Sequence, residues 1–184
     1  MKLYFILFFL SSAVFAQETP AKSFWNQLQQ HCGKSYKGTI TRGMGNDDFD
    51  GKKLIMHVRS CEENEIKIPF FVGENKSRTW ILRLNDNKIE LKHDHRKPDG
   101  SEDEITQYGG TASNTGLANI QVFPADDETA ELLPPAATNV WWISLDDEIF
   151  SYNLKRMGAK TNFCVEFDLS NPIKTPDAPW GWEE

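Results

Sequence analysis

The sequence predicts an all-β fold, an antiparallel up-and-down barrel of about ten strands with a short N-terminal helix. Most of the chain consists of short segments in which apolar and polar residues alternate, which is the period of a half-buried strand. The segments between them have hairpin length, and no helical stretch is long enough for a parallel crossover. Closing such a meander removes exposed strand edges, although the same strand count also allows a β-sandwich or a jelly roll.

The first predicted element is the helix. Ser23 is expected to be its N-cap, and Phe24, Trp25 and Leu28 form an apolar stripe at helical spacing before Gly33 ends it. After this point the apolar period changes to two, which predicts strands. The strands of this half are expected at 35–42, 52–60, 65–72, 78–84 and 88–96.

The second half of the chain continues the meander. Asn85-Asp86-Asn87 is turn chemistry that predicts a hairpin between the strands before and after it. A short helix is expected from Asp126 to Leu133, where Pro134 stops it. The tail from residue 170 is rich in proline and ends near Trp182. The other strands are expected at 105–108, 118–123, 139–145, 149–156 and 161–169, with a loop at 109–116.

The N-terminus is typical of an export signal. Lys2 supplies a short positive region, residues 3–10 are apolar, and Ala13-Val14-Phe15-Ala16 offers small residues at the positions that a signal peptidase reads. We therefore expect a signal peptide at 1–16 that is cleaved after Ala16, and one β-barrel domain at 17–184 in the periplasm or outside the cell. The apolar run is too short to span a bilayer, and no membrane span is expected.

The charge balance limits the classes of partner. The chain has 20 basic and 27 acidic residues and a formal net charge of −7. This balance disfavours nucleic acid and anionic membrane surfaces as partners. A small-molecule ligand is the expected partner, and the chain is expected to be a monomer.

The cysteines indicate one disulfide. An exported chain meets an oxidising environment, where a disulfide forms and persists. Cys32 and Cys61 each stand at the end of a predicted element near a turn, and we expect them to be bonded. Cys164 alternates with apolar residues inside a predicted strand, and it is expected to be a buried free thiol.

Side chains that bind metals or move protons are densest at 91–110. His93 and His95 are two apart on a strand, so they share a face with the apolar Leu91 and point inward. Asp94 and Arg96 are expected to face solvent. If an acid lies near the two imidazoles, at least one should titrate above its ordinary value; if none does, burial should lower both pKa values.

One interpretation of this pair is a site for a divalent transition metal, because two imidazoles on one face of a strand can converge on one ion. His57, Glu102 or Asp103 would have to supply a third ligand. The alternative is that both histidines are core residues hydrogen-bonded to Tyr108 or to an acid. A cupin-type site is weakly supported, since the spacing from His95 to Glu102 is too long and no histidine follows His95.

Other catalytic signatures are weak in this sequence. It contains no G-x-S-x-G, and the oxygen-rich segment 99–103 lacks the residue order of a calcium loop. Aromatic residues on the strands are expected in the core, and some of them could line a ligand cavity in a barrel. These are Trp80, Trp141, Trp142, Phe150, Tyr152, Phe163 and Phe167. The expected ligand-binding cluster is His93, His95, Glu102, Asp103, Tyr108, His57 and Trp80.

Five short segments resemble a group of secreted bacterial proteins that carry no known activity. They are residues 51–59 (GKKLIMHVR), 78–82 (RTWIL), 91–96 (LKHDHR), 99–103 (DGSED) and 108–110 (YGG). The resemblance implies export and a single domain, and it implies nothing about chemistry. Lipocalins and fatty-acid-binding proteins are analogies of architecture only, because the lipocalin G-x-W signature is missing near the first strand.

The function favoured by these observations is a binding module, an exported β-barrel that holds a small apolar or amphipathic ligand. A metal-dependent enzyme centred on His93 and His95 is the first alternative. The second is a structural or envelope-interaction protein, in which 91–110 only closes the mouth of the barrel.

Overall fold

The computed structural model describes residues 17–43, 49, 51–160 and 162–182. The expected signal peptide at 1–16 lies outside the described residues. One antiparallel sheet rolls into a nearly closed barrel, so the predicted up-and-down barrel is confirmed. Within the described residues, no helix is long and apolar enough to cross a membrane.

The first helix, α1, spans Pro20–Gln29 and begins earlier than predicted. Thr19 is the N-cap, and its side chain accepts a hydrogen bond from the Lys22 backbone N–H at 3.3 Å. Pro20 then occupies a first-turn position, where its missing N–H costs nothing. Ser23 lies inside the helix, since its N–H donates to the Thr19 carbonyl, and the prediction of Ser23 as N-cap is wrong. The predicted apolar stripe is buried as expected, together with Ala21.

In the described part of the chain, ten strands follow one another around the barrel, and a short eleventh pairs with one of them. The order runs from β7 back through β6, β5, β4, β2 and β1 to β11, β10, β9 and β8, while β3 pairs with β4. The strands are β1 Ser35–Arg42, β2 Leu54–His57, β3 Ser60–Cys61, β4 Glu65–Val72, β5 Asn75–Asn85, β6 Lys88–His95, β7 Tyr108–Thr111, β8 Ile120–Pro124, β9 Asn139–Leu145, β10 Ile149–Arg156 and β11 Phe163–Asp168. Antiparallel pairing of β1 with β11 joins the two ends of the chain.

The barrel has two unlike ends. The helix α1 packs against β5, β8 and β9, and Gln27 Nε2 donates to the Ala118 carbonyl at 2.8 Å. The hairpin of β5 and β6 turns at this same end through Asp86 and Asn87, both of which have positive φ as the predicted turn requires. The helix therefore covers this end, and the opposite end is left for a cavity.

Among the described strands, β7 and β8 lie side by side at a seam without forming a ladder. The predicted short helix, α2 (Asp127–Leu132), lies beside this seam, and Asp126 is its N-cap. The Asp126 N–H donates to the Gly109 carbonyl at 3.1 Å across the seam. The backbones are so close that a Cβ on Gly110 would lie 1.8 Å from the Pro124 carbonyl oxygen. Only glycine fits at this position.

Two predicted strands differ from the structure. The strand expected at 105–108 is wrong: Gln107 has a φ of +58°, which no strand residue adopts, and the strand β7 instead contains the glycines expected in a loop. The strand expected at 52–60 is split into β2 and β3. The ladder is interrupted at Val58, whose N–H donates to the Lys34 carbonyl in the turn after α1.

The predicted disulfide between Cys32 and Cys61 is confirmed, with a Cα–Cα distance of 6.1 Å and a sequence separation of 29 residues. It ties the end of α1 to β3. A loop of this length contributes about 3.5 kcal/mol in the chain-entropy model. Cys164 is free and buried, as predicted, and burial raises the pKa of its thiol.

Candidate functional site

A cavity of about 240 Å³ lies at the end of the barrel opposite α1. Its walls come from the far ends of β4, β5, β6, β9, β10 and β11 and from β7. The described residues that line it are Phe49, Phe70, Arg78, Thr79, Trp80, His93, His95, Tyr108, Leu133, Asn139, Trp141, Tyr152, Leu154 and Phe163. The set is mainly aromatic and apolar, with few polar groups, which is the usual composition of a small-molecule site.

Stacked aromatic rings form the wall on the side of β4, β5 and β10. The Trp80 ring is nearly parallel to those of Phe70 and Tyr152, with ring centroids 4.9 Å and 4.4 Å away. The ring of Phe70 is in turn stacked on that of Phe49, at 6.2 Å. Rings held by several neighbours have little freedom to rotate. The wall is therefore preformed.

His93 lies on the floor of the cavity and is held at both ring nitrogens. Its Nδ1 is 2.9 Å from the Tyr108 carbonyl oxygen, so Nδ1 must carry the proton and donate. Its Nε2 is 2.7 Å from the Tyr152 hydroxyl and therefore accepts from it. Burial lowers the pKa of His93 to about 3, which keeps the ring neutral at neutral pH.

His95 lies nearer the mouth of the cavity. Its Nε2 is 3.0 Å from the Tyr108 hydroxyl, and either group can be the donor. Burial and the nearby charge of Arg78 lower the pKa of His95 to about 4, against the opposing effect of Asp103 and Asp94. Of the two outcomes set out from the sequence, the structure therefore supports the one in which both histidines titrate below the ordinary value.

The expectation that Asp94 faces solvent is wrong. Its side chain points to the outer face, away from the cavity, but only 1% of the residue is exposed. The Arg96 Nε contacts both carboxylate oxygens at 3.1 and 3.0 Å, and Gln107 Nε2 donates to Oδ1 at 2.8 Å. The loop after β6 folds back over this face, which strand alternation alone does not predict. Arg96 is only part-buried, and its Nη2 donates to Glu102 Oε1 at 3.2 Å.

The structure divides the predicted cluster into two groups. His93, His95, Tyr108 and Trp80 line the cavity, whereas His57, Glu102 and Asp103 are not among its lining residues. No group of three or more potential metal ligands exists within the part of the chain that the structure describes.

Arg78 is the functional candidate that sequence reasoning missed. Its guanidinium lies over the Phe49 ring, with 5.6 Å between Cζ and the centroid. Its Nη1 atom is buried and has no hydrogen-bond partner, and Arg78 has no ion-pair partner among the described residues. The signal was available in the sequence, because Arg78 has the same strand parity as Trp80, Leu82 and Leu84.

The cavity also explains the aromatic set proposed from the sequence. Trp80, Trp141, Tyr152 and Phe163 line it, whereas Phe150 and Phe167 are fully buried in the barrel core. Trp141 is 1% exposed while its neighbour Trp142 is only half-buried, as the alternation of strand faces predicts.

Comparisons with protein-family models, with curated proteins and with solved structures find no match to this chain.

Proposed function

We propose that this protein binds a small planar ligand in the cavity at the open end of the barrel. The observation that carries the proposal is a preformed cavity of about 240 Å³ whose walls are aromatic rings. A cavity of about 150 Å³ lined by apolar side chains is large enough for benzene. The space here suits a ligand of one or two rings, on the order of ten non-hydrogen atoms.

The lining favours binding over catalysis. His93 is neutral and hydrogen-bonded at both nitrogens, so it has no free position for taking a proton from a substrate. The Tyr152 hydroxyl donates to His93, and burial holds its pKa well above the ordinary value. These groups fix the shape of the cavity. A ligand of about ten non-hydrogen atoms would bind with a dissociation constant on the order of 10 μM to 1 mM, given the usual free energy per atom.

The first experiment is a titration of the purified protein with indole and benzyl alcohol, followed by ligand-observed NMR, together with native mass spectrometry of protein purified from its own host. Saturable binding of at least one compound, or a co-purified small molecule, is expected. If no compound binds at millimolar concentration and no small molecule co-purifies, the proposal is wrong, and the structural or envelope-interaction role becomes the better account.

A pair of matched variants locates the binding site. Leu154 lines the cavity and Val122 is 42% exposed on β8, away from the cavity. Leu154→Trp fills the mouth and should abolish binding, whereas Val122→Trp adds the same ring to the outer surface and should leave binding unchanged. Equal binding by both variants would place the ligand elsewhere.

We further propose that the protein acts outside the cytoplasm. The signal-like pattern at 1–16 supports export, and the disulfide between Cys32 and Cys61 is compatible with an oxidising compartment. N-terminal sequencing of the protein from a cell-envelope or culture-supernatant fraction should begin at Gln17. Recovery of the full-length chain only from the cytoplasm would contradict this proposal.

A further inference from the structure

We propose that the ligand is an anion, a planar carboxylate whose charged group binds Arg78 while its ring lies against the aromatic wall. The inference rests on the proposed function and specifies the chemical class of the ligand. It depends on the charge and hydrogen-bonding state of the groups that line the cavity.

Arg78 gives the lining of the cavity a positive charge. Arg78 is the one fully charged side chain among the described lining residues, and none of them is Asp or Glu. His93 and His95 are neutral, so they neither add to this charge nor compensate it. A chain with a net charge of −7 thus presents a positive group in an aromatic cavity. An uncompensated cation in such a site favours an anionic ligand.

Arg78 also carries an unsatisfied hydrogen-bond donor. Nη1 of Arg78 is buried without a hydrogen-bond partner, and burying a guanidinium N–H unpaired is costly. The guanidinium contacts the Phe49 ring, an interaction that leaves its in-plane N–H groups free. A carboxylate that hydrogen-bonds to the guanidinium from the cavity would offset this cost, in the charge-assisted form that arginine makes best.

The Tyr108 hydroxyl is a second potential donor in the same cavity. Arg78 and His95 are directly opposite each other on β5 and β6, and His95 Nε2 meets the Tyr108 hydroxyl at 3.0 Å. When His95 carries its proton on Nε2, it donates to the Tyr108 oxygen, and the Tyr108 O–H is then free to donate to a ligand. Tyr152 cannot serve in this way, because its O–H is used by His93.

These two donors suit a carboxylate better than a phosphate. A carboxylate has two oxygens, and the Arg78 guanidinium and the Tyr108 hydroxyl, which both line the cavity, offer a donor for each. A phosphate group would bring further oxygens and charge into a cavity that has few additional donors. Such oxygens would lose their water without gaining a partner.

The test compares two ligands of the same shape, benzoate and benzamide, by isothermal titration calorimetry at neutral pH. The wild-type protein should bind benzoate about 10- to 100-fold more tightly than benzamide, the range expected for a hydrogen bond between charged groups. Arg78→Gln should remove this preference and keep benzamide binding. Tyr108→Phe should reduce the preference several-fold, since it removes one donor and leaves the charge.

Arg83→Gln is the matched control. Arg83 is on the same strand as Arg78, but it points outward and pairs with Glu65 and Glu90 at 2.8 and 3.1 Å. Its loss removes the same charge and should leave the benzoate preference unchanged. Arg78→Lys, which keeps the charge, should retain part of the preference and provides a second test if Arg78→Gln does not fold.

The possible failures are distinguishable. If wild-type protein binds benzoate and benzamide equally, or prefers benzamide, the anionic class is wrong while ligand binding stands. If the preference survives in Arg78→Gln, Arg78 is not the recognition residue and the inference is wrong. If neither compound binds, and the wider set of neutral compounds also fails, the proposed function and this inference both fall.

Discussion

Replacing Thr129 with valine should weaken the seam of the barrel and destabilise the protein by about 2 kcal/mol. Thr129 is fully buried in α2. The Gly109 N–H donates to its Oγ1 at 2.7 Å, and the hydroxyl in turn donates to the Gly109 carbonyl at 2.9 Å. This one side chain thus binds α2 to β7 at the seam, where β7 and β8 form no ladder. Valine has nearly the same shape and lacks both interactions.

The magnitude follows from what remains after the substitution. The Gly109 carbonyl still accepts from the Asp126 N–H at 3.1 Å, so it keeps one partner. The Gly109 N–H is left buried and unpaired, which costs about 1–3 kcal/mol. The hydrogen bond lost at the carbonyl adds about 1 kcal/mol, and the additional methyl group of valine offsets roughly 0.8 kcal/mol by apolar burial. A net loss of about 2 kcal/mol corresponds to a fall in Tm of roughly 4–8 °C for a domain of this size.

The assay is equilibrium unfolding in urea, with Thr111→Val as the control. Thr111 is exposed on β7, so the same change of side chain should alter the free energy of unfolding by less than about 0.5 kcal/mol. Hydrogen exchange of the Gly109 amide should also be faster in Thr129→Val. If Thr129→Val lies within about 0.5 kcal/mol of wild type, the hydroxyl does not hold the seam and the reasoning is refuted.

Three further predictions concern the same region and the disulfide. In NMR titrations both His93 and His95 should stay neutral to below pH 5, because burial lowers their pKa values to about 3 and about 4; a ring that titrates near 6.5 would contradict the geometry. Since an unfolded histidine binds its proton at about pH 6.5, the contribution of both histidines to stability should be full above that pH and be lost as the pH falls from 6.5 to about 3. The buried Lys92 ammonium contacts Asp126 at 2.6 Å. Lys92→Met breaks this contact but leaves the partly exposed carboxylate solvated, so the free energy of unfolding measured in urea should fall by less than about 1.5 kcal/mol. Reducing the disulfide between Cys32 and Cys61 should lower the free energy of unfolding by about 3.5 kcal/mol, and an unchanged urea midpoint would show that it contributes nothing.

Features that depend on neighbouring residues could be predicted from the sequence. Alternation of apolar and polar residues determines which face of a strand is buried, so the barrel and the inward direction of His93 were predictable. Local sequence signals likewise predicted the hairpin at 85–87 and a short helix that starts near Asp126. The disulfide followed from the position of Cys32 and its partner at the ends of elements.

Features that depend on residues far apart in the chain were decided only by the tertiary structure. Asp94 has an outward parity, yet it is buried because the loop carrying Gln107 folds back over it. Position 110 requires glycine because the Pro124 carbonyl, on the strand across the seam, lies too close for any side chain. The strand parity of Arg78 predicts only that its side chain points inward. Whether it is paired depends on which side chains six other strands bring to the same end of the barrel, and among the described lining residues none is a carboxylate.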